Sequence, residues 1–487
     1  MNKKVYVIFL FVLLFRLFFA FQDTEFSNED AYLTLRNVEN IEETGKPLFE
    51  DNLSYGGRIA VFLPLYYYFL ASINVIIGNV SFKLIPALLF SSLVFLVYLI
   101  TKELTKDEDS ALLATLTSAF IPVLISNTTN NISIFSAALF IILLMILSLM
   151  KIENKKSLSL FMGLSLLFPL VHNMAFLFII SLIVYFILSI AESNKISKIK
   201  KEAILFSIFV TLIIGFLFFK DAILLHGFNI IFQNTPLKIL SSYFKGINIV
   251  ELIISLGIIP LLFGILGLSY AIRKKNDNML FLTSILATTS LLLIFKLINF
   301  SLAIIFLGIL LAIISSIGFE KSFKYVKLTK FSDYLKYIKF SFLILIFLLL
   351  IIPSYIGAND SKNKVLNNEE LNALFWLRDE TEEDSTILSS HEEGHFITNI
   401  AKRKNVIDDN FLLIENIDQR YNDVERIYTT ESQVKALQAL NKYNVRYVYF
   451  SDRTKQIYNV DEIAYVDDNC FKEVYHTEEA RIYKVRC

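Results

Sequence analysis

The chain has 487 residues, of which 55% are hydrophobic, 45 are Phe and only 19% are charged, a composition outside that of ordinary soluble proteins. Its 46 basic and 46 acidic side chains cancel, which excludes a nucleic-acid binder driven by bulk positive charge. Two Cys and five His exclude a disulfide-rich scaffold and a cysteine-built zinc cluster, so the chain reads as a polytopic α-helical membrane protein.

A spanning helix needs about 20 apolar residues, and such segments fall at 5–21, 84–101, 110–126, 133–150, 203–219, 249–271, 279–295, 299–318 and 340–356. The apolar run 158–190 is too long for one helix and carries Pro169, His172 and Asn173 at its middle. It predicts two short helices with a turn between them, bringing the expectation to about 11 spans. Residues 59–77 are apolar enough to cross, but Pro64, Tyr66, Tyr67, Tyr68 and Asn74 suit an interfacial helix.

Charge decides between the two. With 59–77 lying on the surface, the basic loops at Lys3 and Lys4, Lys102 and Lys106, Lys151 to Lys156, Lys195 to Lys201, Arg273 to Lys275, and 321–339 share one side, as the positive-inside bias requires. The expectation is a multi-pass protein of the cell membrane with a cytoplasmic N-terminus, a transmembrane domain over 1–357 with external loops 22–83 and 220–248, and an extracytoplasmic α/β domain over 358–487.

Beyond Ala358 the apolar runs stop and helix and strand patterns alternate. The pattern predicts a helix over Leu371–Arg378, a strand over Thr386–Leu388, a helix near Gly394–Ala401, a strand near Val406, a helix over Glu431–Lys442 and a strand over Val445–Phe450. The last residues read as a hairpin, Phe471–His476 and Arg481–Arg486, which places Cys470 opposite Cys487. On an oxidising face these can pair, and two free thiols are the alternative.

Two polar constellations carry candidate chemistry. Directly after the first span, Glu29, Asp30 and Arg36 set carboxylates and a guanidinium just above the bilayer. The carboxylate suits a general base or a metal ligand, and the guanidinium suits phosphate. A solvated loop capped by Asn28 is the plainer reading. Farther on, His391-Glu392-Glu393-Gly394-His395 matches the zinc-protease pattern H-E-x-x-H, but Ser390 and Gly394 predict a loop or helix start there, and the match reads as coincidence.

An acidic motif after span one, an amphipathic helix in the same loop, many spans and a terminal α/β domain together resemble the GT-C membrane glycosyltransferases, above all the archaeal and eukaryotic oligosaccharyltransferase catalytic subunit. That family's D-x-x-F-x-x-R is followed by Asp30, Leu33 and Arg36, with Leu in the aromatic position. The stretch around Trp376-Leu377-Arg378 is similar to the one preceding the family's W-W-D-Y-G signature. At the signature itself stand Ser390, His391, Glu392, Glu393 and Gly394, then Ile397, Thr398, Arg403 and Asp408.

The resemblance implies transfer of a sugar or glycan from a polyprenyl-phosphate or pyrophosphate donor to a glycan, lipid or protein acceptor on the external face, with the bilayer as the other partner and no nucleic acid. Asp30 would be the base, with Glu29 as substitute. Arg36, Lys296 and Arg58 would bind the donor phosphate, and Glu392, His391 and Gln233 would meet the acceptor. The alternative is a non-catalytic relative that binds or scaffolds lipid-linked glycan, having lost the metal site.

The family's metal, Mg or Mn, wants several hard oxygens. Its second acidic motif falls on Ile134, Phe135 and Ser136, and its third acid on Gln233. With two of three positions neutral, the sequence argues against a tight metal site and leaves Asp30 as the ligand if one is bound. The family's paired Trp is absent as well, which removes the ground for expecting transfer to N-linked sequons.

Overall fold

The computed structural model describes residues 2–242, 248–273, 276–467 and 469–487. The expected basic pair Lys274 and Lys275, and residues 243–247 of the second external loop, lie outside the described residues. The chain divides into two compact units, one made of 1–24, 63–218 and 243–363, the other of 25–62, 219–242 and 364–487.

The first unit is helical. Among the described residues six helices are long and apolar enough to cross a membrane, or up to eight if each bent pair counts as one span, which makes this a membrane protein. Helix Phe300–Lys327 carries the most enclosed apolar window, and its Phe306, Ile309, Leu310 and Ile313 join Leu139, Ile142 and Ile146 of helix Phe135–Met150 in the largest core cluster.

Several expected spans are interrupted where the chain chemistry demands it. The 110–126 segment forms Glu108–Ala119 and Pro122–Thr128, bent by 42°, because Pro122 cannot bond back into the preceding turn. The 249–271 segment breaks by 85° at Gly257, whose left-handed φ of 85° stops the first helix, with Pro260 in the opening turn of the next. Before Pro353 the chain loosens into a π-helical stretch, Phe347–Ile351, which accommodates the missing N–H and the ring.

The run 158–190 is two helices, Lys155–Leu167 and Met174–Ala191, broken at the Pro169–Asn173 region, where the His172 ring Nδ1 accepts the Met174 N–H at 3.0 Å. In 59–77 the helix is confined to Leu65–Ile77, 13 residues. Through a 3-10 turn, Gly78–Val80, it runs on into Ser81–Thr105, and the two together make one apolar stretch, Leu65–Thr105. Arg16, in the first apolar helix, is 2% exposed. It donates to Thr128 Oγ at 2.9 Å and lies over the Phe90 ring, so its charge faces the protein interior.

The second unit is α/β. Strands β1 (Glu50–Asp51) and β2 (Arg58–Ile59) form a small antiparallel pair. A five-stranded sheet is built from β3 (Thr386–Leu388), β4 (Lys404–Asn405), β5 (Val445–Ser451), β6 (Phe471–His476) and β7 (Ala480–Val485), in the order β4-β3-β5-β7-β6. Strand β3 is parallel to β4 and β5, while β5–β7 and β7–β6 are antiparallel.

The expected strands fall within two residues of their places; helix Asn368–Glu380 covers the expected run, while Gly394–Asn399 and Gln433–Lys442 each fall two residues short of theirs at one end. Helices Ile417–Thr429 and Asp452–Tyr458 were not anticipated. The first buries Ile417, Val424, Ile427 and Tyr428, a helical stripe diluted by nine surrounding polar or half-exposed positions in its thirteen residues. Tyr55 from the first loop and Ile239 from the second share a core with Leu388, Val424, Leu440 and Phe450.

Cys470 and Cys487 form a disulfide, 17 residues apart in sequence. It closes the β6–β7 hairpin beside the Arg486 N–H bond to the Cys470 carbonyl, 2.8 Å. A loop of this length restricts the unfolded chain by about 3 kcal/mol. Cys470→Ser with Cys487→Ser is therefore expected to lower the unfolding midpoint of the second unit, read by thermal unfolding, and reductant should then have no additional effect.

Candidate active site

The first loop turns into helix Asp30–Thr44. The Asn28 side chain accepts the Asp30 N–H at 3.3 Å, and two acids, Glu29 and Asp30, sit at the positive end of the helix dipole. Tyr32, 1% exposed, meets the Phe396 ring edge-on at 4.9 Å and donates to Glu25 Oε2 at 2.9 Å. One turn on, Arg36 reaches Asp51 through two bonds of 2.8 and 2.7 Å. Asp51 also accepts the N–H groups of Leu53 and Ser54, at 2.9 and 3.0 Å.

This ion pair folds the loop back on itself and so delivers Ser54, Tyr55 and Arg58 to one place. Ser54 Oγ donates to Asp408 Oδ2 at 2.6 Å, and the Tyr55 hydroxyl to the Asp408 carbonyl at 2.6 Å. Arg58 donates to the Asn410 carbonyl, lies 3.7 Å from Asp408 Oδ1 and stacks over the Tyr55 ring.

The other half comes from the stretch after β3. Ser390 and Glu393 close a reciprocal cap, and Glu393 also accepts from Thr454 Oγ at 2.6 Å and from Ser451, so its carboxylate is fully committed. A Cβ on Gly394 would stand 2.2 Å from the Ile407 carbonyl oxygen. Only glycine allows the Gly394–Asn399 helix to press against the Asp408–Asp409 turn. That approach brings His395 Nε2 to 2.6 Å from Asp409 Oδ1, and His395 Nδ1 to 4.0 Å from Asp408 Oδ2.

Asp30 interacts with Asp409, Asp409 bonds to His395, and His395 faces Asp408 across 4.0 Å, so the four groups lie in sequence. His395 and Asp408 are 0% exposed, Asp409 is 29% exposed and Asp30 is exposed, so exposure rises toward the Asp30 end of the row. Although the residue reaches solvent, burial of its carboxyl and then the neighbouring Asp409 push its pKa up to about 7, with His395 pulling the other way. Burial, then Asp409, Glu392, Asp30 and Asp408, drive Glu29 well above the carboxylate range. For Asp409 burial acts upward, but His395, His391 and the bond to Asp30 outweigh it and hold it below its usual value. For His395 burial acts downward and is outweighed by Asp408, Asp409 and Asp30, which raise it.

The remaining expected residues fall as follows. Arg36, expected at the donor phosphate, is 7% exposed and held bidentately by a 1% exposed Asp51. Glu392 is exposed. His391 is buried edge-on to Tyr421 at 5.5 Å, and burial lowers its pKa to about 4, against the pull of Asp409, so it is neutral. Gln233 is exposed in a left-handed turn, φ 53°. Next to it Asn234 donates to the carbonyls of Phe411 and Ile414 at 2.9 and 2.8 Å, which fastens the second loop to the stretch after Asp409. Lys296 belongs to the first unit, where it is exposed just beyond helix Asp277–Ile294 with φ 60°.

The zinc-protease pattern is not realised, because His391 starts a 3-10 turn and His395 stands on the following α-helix. Neither Asp409 nor the coupling of His395 to it was anticipated from the sequence. The tandem Asp408-Asp409 was the available signal. For a metal, the family positions at Ser136 and Gln233 supply no carboxylate. Among the described residues one group offers three closely spaced donors, His395, Asp408 and Asp409, with ligand atoms within 4.8 Å of one another, and its mixed nitrogen and oxygen chemistry fits a divalent ion.

No protein-family model matches the chain, and no curated protein does. Solved structures do. The archaeal oligosaccharyltransferase AglB from Archaeoglobus fulgidus, in complex with an inhibitory peptide and a dolichol-phosphate, is 16% identical with a TM-score of 0.64, over 92% of this chain and 70% of that one. The same organism's oligosaccharyltransferase in complex with Zn and sulfate is 15% identical with a TM-score of 0.60, over 97% and 73%. ArnT from Cupriavidus metallidurans bound to undecaprenyl phosphate is 10% identical with a TM-score of 0.55, over 99% and 98%. With membrane-length helices followed by an α/β segment, this chain has the GT-C fold in its oligosaccharyltransferase-like form.

Proposed function

We propose that the chain is an integral membrane glycosyltransferase of the GT-C type, which transfers a sugar or glycan from a polyprenyl-phosphate or pyrophosphate donor to an acceptor hydroxyl or amide on the extracytoplasmic side. The observation that carries this reading is Asp30: an exposed carboxylate at a helix start, backed by Asp409 and the buried His395, on a fold whose solved neighbours hold dolichol-phosphate and undecaprenyl phosphate.

In this mechanism Asp30 accepts the acceptor proton as the acceptor atom attacks the anomeric carbon. The glycosidic C–O bond breaks, and the electron pair leaves with the lipid phosphate, so configuration inverts. Asp409 and His395 orient the Asp30 carboxyl and spread the charge it gains and loses. His395, Asp408 and Asp409 would hold a divalent ion, which would supply positive charge to offset the charge that develops on the phosphate. Glu392 and Gln233, both exposed, are assigned to the acceptor, and Lys296 to the donor phosphate. The buried Arg36–Asp51 pair and the internal bonds of Arg58 support a framework role for those two arginines in place of the phosphate role expected from sequence.

Purified protein incubated with polyprenyl-linked donors and analysed by mass spectrometry tests the reading. A glycosylated product supports it, while donor binding without turnover would identify a lipid-linked-glycan binding protein. If Lys296 holds phosphate, Lys296→Ala raises the donor KM about tenfold, the cost of one charge-assisted hydrogen bond, while Lys296→Arg stays close to the unaltered enzyme. An unchanged KM in the Ala variant would remove Lys296 from the donor site.

A further inference from the structure

We propose that His395, Asp408 and Asp409 form a binding site for one first-row transition-metal dication, held by a ring nitrogen and two carboxylates. The site does not depend on the transferase reading. It lies wholly in the second unit and uses none of the positions, Ser136 and Gln233, where the resemblance placed further metal ligands.

Three observations converge. First, the three residues offer donor atoms within 4.8 Å of one another, and an ion on His395 Nδ1, with metal bonds of about 2.0–2.2 Å, gathers both carboxylates once Asp409 turns from its 2.6 Å bond to Nε2. Second, His395 is 0% exposed, yet its Nδ1 has no hydrogen-bond partner, where an ordinary core histidine satisfies both nitrogens. That nitrogen faces Asp408 Oδ2 across 4.0 Å, too far for a hydrogen bond and close to the span of two metal–ligand bonds.

Third, the surroundings are arranged as ligand supports are. Asp408 is oriented by Ser54 Oγ at 2.6 Å, Asn405 Nδ2 at 3.1 Å and the Asn410 N–H at 3.0 Å, the outer hydrogen bonds that hold a metal-binding carboxylate in place. Asp409 contacts Asp30, and the neighbouring Glu29 buries an Oε2 that no donor meets. Carboxylates this dense favour a dication. One imidazole among oxygens selects Mn2+ or Zn2+ over Mg2+ and Ca2+, which take oxygen ligands. Sequence comparison with the family motif would not disclose the site, because the nitrogen stands one residue past the signature.

The test uses the full-length, tag-free protein in detergent, stripped with chelator and titrated with Mn2+ or Zn2+ by calorimetry and equilibrium dialysis. One ion per chain is expected, with Mg2+ binding at least about tenfold weaker. Asp409→Asn and His395→Gln should each weaken binding by about 10-fold or more, and His476→Gln, on an exposed strand, should not. The ion should raise the unfolding midpoint of the unaltered chain and leave that of Asp409→Asn unmoved. X-ray absorption of the Zn2+-loaded unaltered chain should show one imidazole among oxygen ligands, a readout that holds even if both variants misfold. No bound ion in the unaltered chain, oxygen ligands alone, or equal binding in folded variants would overturn the proposal.

Discussion

Replacing Asp30 with Asn is expected to reduce glycosyl transfer by about 10²–10⁴-fold, the contribution of a positioned general base, with the protein still folded. The amide keeps the shape of the carboxyl and can still bond to Asp409, but it cannot take a proton from an acceptor. Asp30 is exposed at the start of its helix, so the substitution leaves no buried charge unpaired. The loss should therefore fall on kcat, with donor KM little changed. Metal binding should persist within a few-fold, because Asp30 contacts the ligand Asp409 without being one of the three closely spaced donors. Measuring transfer and ion binding on the same Asp30→Asn preparation separates the two proposals. Transfer at the unaltered rate would end the role of Asp30 as base, and Glu29→Gln would then be the next substitution to assay.

The second large effect is structural. Arg36→Met alone is expected to destabilise the second unit by about 3–5 kcal/mol, because it strands the Asp51 carboxylate in a site where it is 1% exposed. Arg36→Met combined with Asp51→Leu should recover much of that loss, since two apolar groups need no partner. Thermal unfolding of the two single variants and the double variant makes the comparison, and equal destabilisation in all three would show that the pair itself contributes little.

The pair also has a pH signature. Burial acts to raise the Asp51 pKa, but the bond and charge of Arg36 and the N–H groups of Ser54 and Leu53 outweigh it and depress the folded-state value. A depressed carboxylate stabilises the fold fully above its unfolded pKa of about 3.9. That contribution fades as pH falls from there through the lower folded-state value. Asp51→Asn should remove this acid-side slope and leave the neutral-pH slope unchanged.

Local sequence carried a large part of the molecule. The membrane helices were visible because a bilayer leaves few ways to satisfy a backbone, and a run of some 20 apolar residues admits little else. The break at Pro169, the hairpin from Phe471 to Arg486 and the opposition of Cys470 and Cys487 followed from proline chemistry and strand register. Kinks at Pro122 and Gly257 were less visible, because apolarity averages over a whole span while a kink depends on how a few residues bond. Helix Ile417–Thr429 escaped because its apolar stripe is thin.

The candidate site divides along the same line. Asp30 was legible as a carboxylate placed by sequence directly after an apolar span. What surrounds it was not, since Asp30, Ser54, His395 and Asp408 lie up to hundreds of positions apart and meet only once Arg36 and Asp51 have folded the first loop and Gly394 has let a helix approach the Ile407 carbonyl. By itself the sequence determined the class of protein, the helices and the acid at the loop, each a consequence of short-range hydrophobicity and chain stereochemistry. Tertiary structure alone decided that Arg36 is occupied by Asp51, that Asp409 and His395 stand behind Asp30, and that one buried ring nitrogen faces a carboxylate, because charges and donors acquire partners only through contacts that the order of residues does not encode locally.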